Sequence, residues 1–503
     1  MSLGDPESGE RLSMSLGDPE EITVGERIGQ LAADHPTRPA VVAVAPDGNR
    51  QTMTWARLES ESNAAAHALA EAGVGPESTV TVVLSAGVDH VVATIAVWKL
   101  GGLVVPLDPH ATPSERRATA AAIGEHISIG GPEETVSPLR WCTGNYPEDP
   151  LPSRGVPRSA SLTGGTTGQP RVVRRRKPWT YRPDALLSES ERARGMRLGQ
   201  VQLVVLPMYH AGFSALYQGL VLDHQIVLME RFVPRLFPRL VQEHRVSYLR
   251  IVPALMRMVL DVPDLAEFDL SSIEAVHHGA GPCPEEVKRR WLDLIGAERV
   301  VEDYASQERV GSVLIRGDEW LAHPGSVGRP SDCEVRILDE YGTEVATGVT
   351  GEIYLRSTAA RQPEYVGTGP ALPERDGFLS LGDLGYLDAE GYLYLVDRKS
   401  NVINVGGANV YPAEIEAVLL GMPAVADAVV VPRSHRYLGQ VPHAMVVPAD
   451  AAGPPSAATL SAYCRERLSP TKVPMSYEIV TSVARKTSGK ISRRSLVGRT
   501  DGP

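Results

Sequence analysis

The sequence is poor in cysteine, in phenylalanine, in net positive charge and in long apolar runs. Its four cysteines, Cys142, Cys283, Cys333 and Cys464, are scattered with no Cys-x-x-Cys pair. They offer no metal framework and fit a reducing compartment. Fifty Lys and Arg against 61 Asp and Glu give a net charge of −11, the wrong sign for a nucleic-acid binder. No apolar stretch approaches the roughly 20 residues of a membrane span. No basic-then-apolar leader opens the chain, so neither a membrane nor secretion is expected and the cytoplasm is the default. With only five phenylalanines in 503 residues, an aromatic cage around a substrate is not expected.

What is present is an ordinary globular composition, 43% hydrophobic, in a chain too long for one compact core. Residues 1–24 include a direct repeat, Met1–Glu7 recurring as Met14–Glu20. It is too short and polar to be a solenoid unit and reads as a mobile leader. From Gly25 strands and helices alternate. Val80–Leu84 is a β-branched strand, Val88–Leu100 a helix, and Leu103–Leu107 a second strand after the break at Gly101-Gly102. The rhythm returns at Val201–Leu206, Ile226–Met229 and Tyr248–Ile251. This predicts an α/β fold with parallel sheets flanked by helices. Short strands and turns over Gly325–Leu355 predict a small β subdomain. Beyond Asp397 a helix at Pro412–Leu420, a strand at Val425–Val431 and a helix at Ala458–Leu468 suit a separate, mobile α+β domain. The expected units are residues 25–397 and 398–503.

Three loops carry candidate chemistry. Thr163-Gly164-Gly165-Thr166-Thr167-Gly168-Gln169-Pro170-Arg171 combines glycines, hydroxyls and a closing cation, the makings of a phosphate cradle. It is not a Walker loop, and alone it reads more readily as a surface turn. Ser488-Gly489-Lys490 alone reads as a solvated basic tail, and Gly406-Gly407 as a tight turn before a helix.

Taken in order, these segments resemble the adenylate-forming superfamily: acyl-CoA synthetases, aryl-CoA ligases, peptide-synthetase adenylation domains and beetle luciferases. Pro207-Met208-Tyr209-His210-Ala211-Gly212 is similar to the family's gate beside the acid pocket, and Gly279-Ala280-Gly281-Pro282 to the strand end bordering adenine. Asp303-Tyr304-Ala305-Ser306-Gln307-Glu308 resembles the block whose tyrosine packs on adenine and whose glutamate reaches magnesium. Leu381-Gly382-Asp383 matches the ribose-binding aspartate, and Asp397-Arg398-Lys399-Ser400 the hinge, with Arg398 a nucleotide contact. Gly406-Gly407 matches the turn lining the pantetheine tunnel, and Lys490 the C-terminal catalytic lysine.

The resemblance implies an acyl-CoA ligase. ATP and an organic acid would yield an acyl-adenylate, magnesium, loop donors and Lys490 would stabilise the transferring phosphoryl group, and rotation about Ser400 would expose the adenylate to coenzyme A. His210, Glu308 and Lys490 are the implied catalytic residues. No Gly-Gly-(His/Asp)-Ser attachment motif occurs, so a fused carrier is not expected. Arg174-Arg175-Arg176-Lys177 would either attract coenzyme A phosphates or guard a strand edge. The acid pocket is expected from His210–Tyr217, Val252–Met258 and His277–Gly281, and a bulky hydrophobic acid is favoured. Oligomeric state is left open between monomer and homodimer.

The ATP side departs from the family pattern. Arg171 stands for lysine, Val172 for glycine, Ala305 for glycine, Gln307 for threonine and Leu381 for threonine. An arginine fork is not a compact ammonium, and a glutamine amide is not a hydroxyl. These changes leave a rival reading in which the enzyme mainly thioesterifies a preformed adenylate. A non-catalytic adenylate binder and a luciferase-like oxygenase are further alternatives.

Overall fold

The computed structural model describes residues 21–138, 141, 144–152, 155–164, 170–359, 363–366, 371–451, 453–483, 493 and 496. Its regular elements follow the alternation in the sequence closely. The buried strand is Thr79–Val82, the helix after it Val88–Lys99, and the next strand Leu103–Pro106. The helix is buried nearly all round, as a helix without a polar face must be.

Among the described residues the chain forms three main sheets. The largest has fourteen strands. Its parallel centre sets Val201–Val204, Tyr248–Ile251, Ala275–Gly279 and Val300–Ala305 side by side. Beyond Val300–Ala305 the strands turn antiparallel, and Ser326–Pro330 couples the short strands Cys333–Leu338, Gly351–Ser357, Phe378–Leu387 and Leu393–Arg398 to this sheet. The expected β subdomain is therefore hydrogen-bonded onto the central sheet. A six-stranded sheet holds Thr79–Val82 and Leu103–Pro106 and runs through the hairpin Arg158–Gly164/Pro170–Arg174 to the edge strand Glu364–Val366.

Two extended apolar clusters lie on either side of these sheets, one around Trp55, Trp98, Trp179 and Tyr217, the other around Phe237, Trp291 and Trp320. Residues 403–479 form a five-stranded sheet with its own core, built on Val425–His435 paired with Gly439–Pro448. The helix Pro412–Leu420 packs there through Ile415 and Leu419. Its first-turn proline has no backbone N–H to leave unpaired. Cys283, Cys333 and Cys464 are free thiols. No described helix is long and apolar enough to cross a membrane.

Candidate active site

The loop expected to cradle phosphate connects a tight hairpin. Thr163 pairs with Arg171 and Gly164 with Pro170 in antiparallel register, so the strand register fixes where the loop starts and stops. Gly165, Thr166, Thr167 and Gly168 lie outside the described residues, as does Lys490.

The hairpin's outer strand is covered in turn by Glu364–Val366, which brings Tyr365 beside Arg171. The Arg171 guanidinium carbon lies 5.4 Å from the Tyr365 ring centre. Burial raises the Tyr365 phenol pKa, Glu308's negative charge raises it further, and Arg171 opposes them. One tyrosine thus feels both the loop's closing cation and the carboxylate expected at magnesium.

A second cluster gathers at the strand ends. The Tyr304 hydroxyl donates to Asp383 Oδ2 at 2.8 Å, and Arg398 Nε donates to Asp383 Oδ1 at 3.0 Å. Asp383 and Arg398 are also register partners on neighbouring strands. Burial and the adjacent Asp383 carboxylate push the Tyr304 phenol well above its usual range, so it stays a neutral donor. Three residues far apart in sequence thereby converge on one carboxylate. Nearby, Gly279 has no room for a side chain, since a Cβ would run into the Asp303 carbonyl and carboxylate. Ala280 follows at φ 65°, in the left-handed region that non-glycine residues rarely occupy. A side chain on Gly281 would meet nothing within 4 Å.

Asp303 faces a different task. Its carboxylate is 4% exposed and lies 3.0 Å from His277 Nε2, 3.3 Å from Arg194 Nε and 3.9 Å from Arg250. Burial alone would raise its pKa, but these three partners hold it far below the ordinary carboxylate range. The side chain expected at the nucleotide is taken up in a buried ion network instead.

The next residues split by direction. Ala305 ends its strand opposite Ser312, the Ser306 hydroxyl is buried with no hydrogen-bond partner among the described residues, and Gln307 lies on the His210 side. There a small cavity of about 20 Å³ is lined by His210, Ser214, Gln307, Arg175 and Arg309, with Trp179 and Phe213 as its apolar wall. That is room for about one water. His210 sits just ahead of the helix Ala211–Val221, its ring 4.8 Å from that of Tyr209.

Behind the wall Trp98, Trp179, Phe213 and Tyr217 interlock at centroid distances of 4.7–6.2 Å. Aromatic packing therefore borders the pocket despite the few phenylalanines. Two segments expected in the lining are absent from it. Pro253 starts a helix whose Met256 is fully buried in the second core. His277 and His278 are buried in their strand, with pKa values lowered chiefly by burial.

In the C-terminal sheet Gly406 and Gly407 form the turn between Ile403–Val405 and Ala408–Val410, at φ 57° and 92°. Gly407 N–H is capped by Asn404 Oδ1 at 2.9 Å. Ser400 is exposed in the turn Lys399–Asn401. Downstream of Lys490, Arg493 is clasped by both Glu416 carboxylate oxygens at 2.6 and 2.7 Å, and Leu496 is buried beside Val429 and Val431.

The basic run after the hairpin is largely committed. Arg174 pairs with Glu364 at 3.0 Å, and Arg175 lies over the Trp179 ring at 3.8 Å. Sequence reasoning missed Arg194, Arg250, Arg309 and Tyr365. The signal available was thin: an arginine inside an otherwise apolar strand at Arg250, and an arginine directly after Glu308.

Comparison with known proteins gives the family. Residues 30–140 and 160–361 match the pattern of the AMP-binding enzyme family, and residues 414–490 match the AMP-binding enzyme C-terminal domain. The chain belongs to the AMP-binding enzyme family. It is an acid-thiol ligase of the adenylate-forming superfamily, as the ordered motifs imply. A fatty acid–[acyl-carrier-protein] ligase, ScoC of Streptomyces coeruleorubidus, is 30% identical over 96% of this chain and 98% of its own. The 2-succinylbenzoate–CoA ligase of Bacillus subtilis is 28% identical over 89% and 93%. A solved structure of the o-succinylbenzoate CoA synthetase MenE of Bacillus subtilis, in complex with its acyl-adenylate intermediate OSB-AMP, superimposes with a TM-score of 0.80 at 27% identity. It covers 95% of this chain and 98% of that one. Another structure of the same enzyme, in complex with ATP and magnesium, gives 0.78.

Proposed function

We propose that this ligase activates a bulky, largely apolar carboxylic acid with ATP and passes the acyl group to coenzyme A. The carboxylate attacks the α-phosphorus, forming the acyl–AMP anhydride and releasing pyrophosphate. The thiol then attacks the acyl carbon, the C–O bond to AMP breaks, and the thiol proton is lost to solvent.

The observation that carries this reading is the convergence of Tyr304 and Arg398 on Asp383. A ribose diol needs a carboxylate acceptor held in place, and here two donors from separate strands fix it. Glu308 suits a magnesium ion that arrives on the nucleotide. Among the described residues no cluster of three metal-ligating side chains exists, and magnesium commonly takes only one or two protein carboxylates alongside phosphates. Bound there, the ion would neutralise charge developing on the phosphates.

Lys490 is the cation assigned to the adenylation step. Downstream of it, the Arg493–Glu416 clasp and buried Leu496 hold the chain to the C-terminal sheet. Gly406-Gly407 is the turn assigned to the pantetheine arm, and Ser400 the hinge between residues 25–397 and the C-terminal unit. The full-length match to a carrier-protein ligase favours a second acceptor, the same pantetheine thiol presented on a separate carrier protein.

The purified protein with ATP, magnesium, coenzyme A and a panel of acids should release AMP and pyrophosphate and form a thioester. Lys490→Ala should lose pyrophosphate release while still converting a synthetic acyl-adenylate to thioester. Thioester formation from the synthetic adenylate without any pyrophosphate exchange by the parent protein would mark it as a thioesterifying variant. Failure of both half-reactions with either acceptor would overturn the reading.

A further inference from the structure

The Tyr365 hydroxyl is a buried polar group without a structural use. Backbone register fixes its direction. Tyr365 faces Val173 across the pair Glu364–Val366/Pro170–Arg174, and Val173 in turn faces Ser161. Residues directly opposite in a sheet share one face, so Tyr365 stands on the face of Ser161, Val173 and Arg171. Ser161 and Val173 line the cavity that also holds His210 and Gln307. The other face is core, where Val172 is buried and Leu162 and Val366 pack with it. An ion pair of 3.0 Å between Glu364 and Arg174 ties the edge strand to its neighbour.

The Tyr365 oxygen is shielded from solvent and has no hydrogen-bond partner among the described residues, and the same holds for Arg171 Nε. Buried polar atoms in folded proteins are nearly all paired. Two orphans on neighbouring side chains mark a place where a polar ligand belongs. Arg171 lies 5.4 Å from the ring centre, but an arginine only donates and cannot take the phenol proton.

The surrounding charge selects the ligand. Arg171 closes the hairpin loop that opens at Gly164, and Glu308 adds negative charge within electrostatic reach of the phenol. Burial raises the phenol pKa, so at neutral pH the group is a donor. A donor set between a cation and a carboxylate suited to magnesium fits an oxygen of a polyphosphate. The site has also lost a hydroxyl, since Gln307 stands where the family pattern has threonine.

We propose that the Tyr365 hydroxyl donates a hydrogen bond to the part of ATP that leaves as pyrophosphate. This rests on the ligase reading above and adds to it a catalytic residue for the adenylation step alone. The departing oxygens gain negative charge, and a donor fixed by the sheet meets that charge without rearranging. Thiol attack follows once pyrophosphate has gone, so the phenol takes no part in it.

Tyr365→Phe removes only the oxygen. Parent and variant are titrated with magnesium and α,β-methylene-ATP, with AMP, and assayed for thioester formation from synthetic decanoyl-adenylate and coenzyme A. The variant should bind the ATP analogue at least tenfold more weakly, as expected for a lost hydrogen bond to a charged group. Its affinity for AMP and its rate from the adenylate should stay within twofold. A loss of less than tenfold for the analogue overturns the proposal. So does an equal loss for AMP or for thioester formation, which makes the tyrosine a support for the whole site. A loss that vanishes at saturating magnesium assigns the phenol to Glu308 and also overturns it. A parent that binds AMP but not the analogue overturns it and leaves a thioesterifying variant. A parent that binds neither and makes no thioester brings down the ligase reading as well.

Discussion

The cluster proposed for the nucleotide and the cavity proposed for the acid are built on opposite plans. On the nucleotide side one carboxylate, Asp383, is held by two donors, and turns at Gly279–Gly281 and the hairpin supply backbone. Asp383 and Arg398 pair their charges, with Tyr304 and Arg398 at or next to strand ends and Asp383 in mid-strand. On the acid side one carboxylate, Asp303, serves three cationic or protonatable partners, and further arginines face the pocket. The first arrangement suits a ligand whose chemistry never changes. The second crowds cations around one acceptor, and it makes the acid side the more fragile half.

The largest effect should come from removing the shared acceptor of the acid side. Asp303→Ala leaves His277, Arg194 and Arg250 facing one another in a buried site, and breaking a buried ion network costs about 3–5 kcal/mol. Urea unfolding should show it as a lowered midpoint. A loss below about 1 kcal/mol would mean the network is solvated and the contrast between the two halves is wrong.

Acid should weaken the same half next. His90 lies behind the pocket wall, 6.2 Å from the Phe213 ring, and burial lowers its pKa to about 4. His224 is lowered to about 4 as well, again chiefly by burial. The unfolded chain binds these protons near pH 6.5 and the folded chain only near 4. Stability contributed by the neutral rings is therefore present above pH 6.5 and lost as pH falls toward 4, on the order of 3 kcal/mol for each. Thermal unfolding followed from pH 7 to 4 should show Tm falling through that window. His90→Gln should flatten the slope.

On the nucleotide side Asp383→Ala should cost activity more than stability. Losing a held acceptor for the ribose should lower kcat/KM for ATP about a hundredfold, or roughly 2–3 kcal/mol, with a smaller change in Tm than Asp303→Ala gives. Equal losses of stability in the two variants would erase the distinction drawn here.

The smallest effect concerns the tether of the Lys490 segment. Glu416→Gln keeps the shape but loses the charge-assisted clasp on Arg493. Pyrophosphate release should fall about tenfold, while thioester formation from a supplied adenylate should hold. A parallel fall in both half-reactions would show that Glu416 merely supports the fold.

Much of this was legible along the chain. Tyr248–Ile251 and Pro412–Leu420 come out with the boundaries their patterns predict, because a short, mostly apolar strand run closed by Pro253 and a proline at a helix start act locally. Tyr304, Asp383 and Arg398 were named from motif order, and the structure brings them into contact. Burial within a segment is not written in its pattern. In Val252–Met258, expected at the acid pocket, Met256 is packed into the core with its carbonyl accepting from Trp291 Nε1 at 3.1 Å, while Met258 is exposed. Asp303 was expected at the nucleotide because the block Asp303–Glu308 resembles the family's; its carboxylate is engaged by His277, Arg194 and Arg250, and alternate residues of a strand point to opposite faces.

Residue order by itself determined the alternation of strands and helices, the family and the positions of the nucleotide turns, since each depends on neighbours a few positions away. Only the tertiary structure decided the character of the acid pocket. Arg175, Arg194, Arg250 and Arg309 come from four separate segments, and whether an arginine is a solvated surface charge or a cation in a half-dry pocket depends on what packs around it. That is a property of the folded chain, and no local pattern carries it.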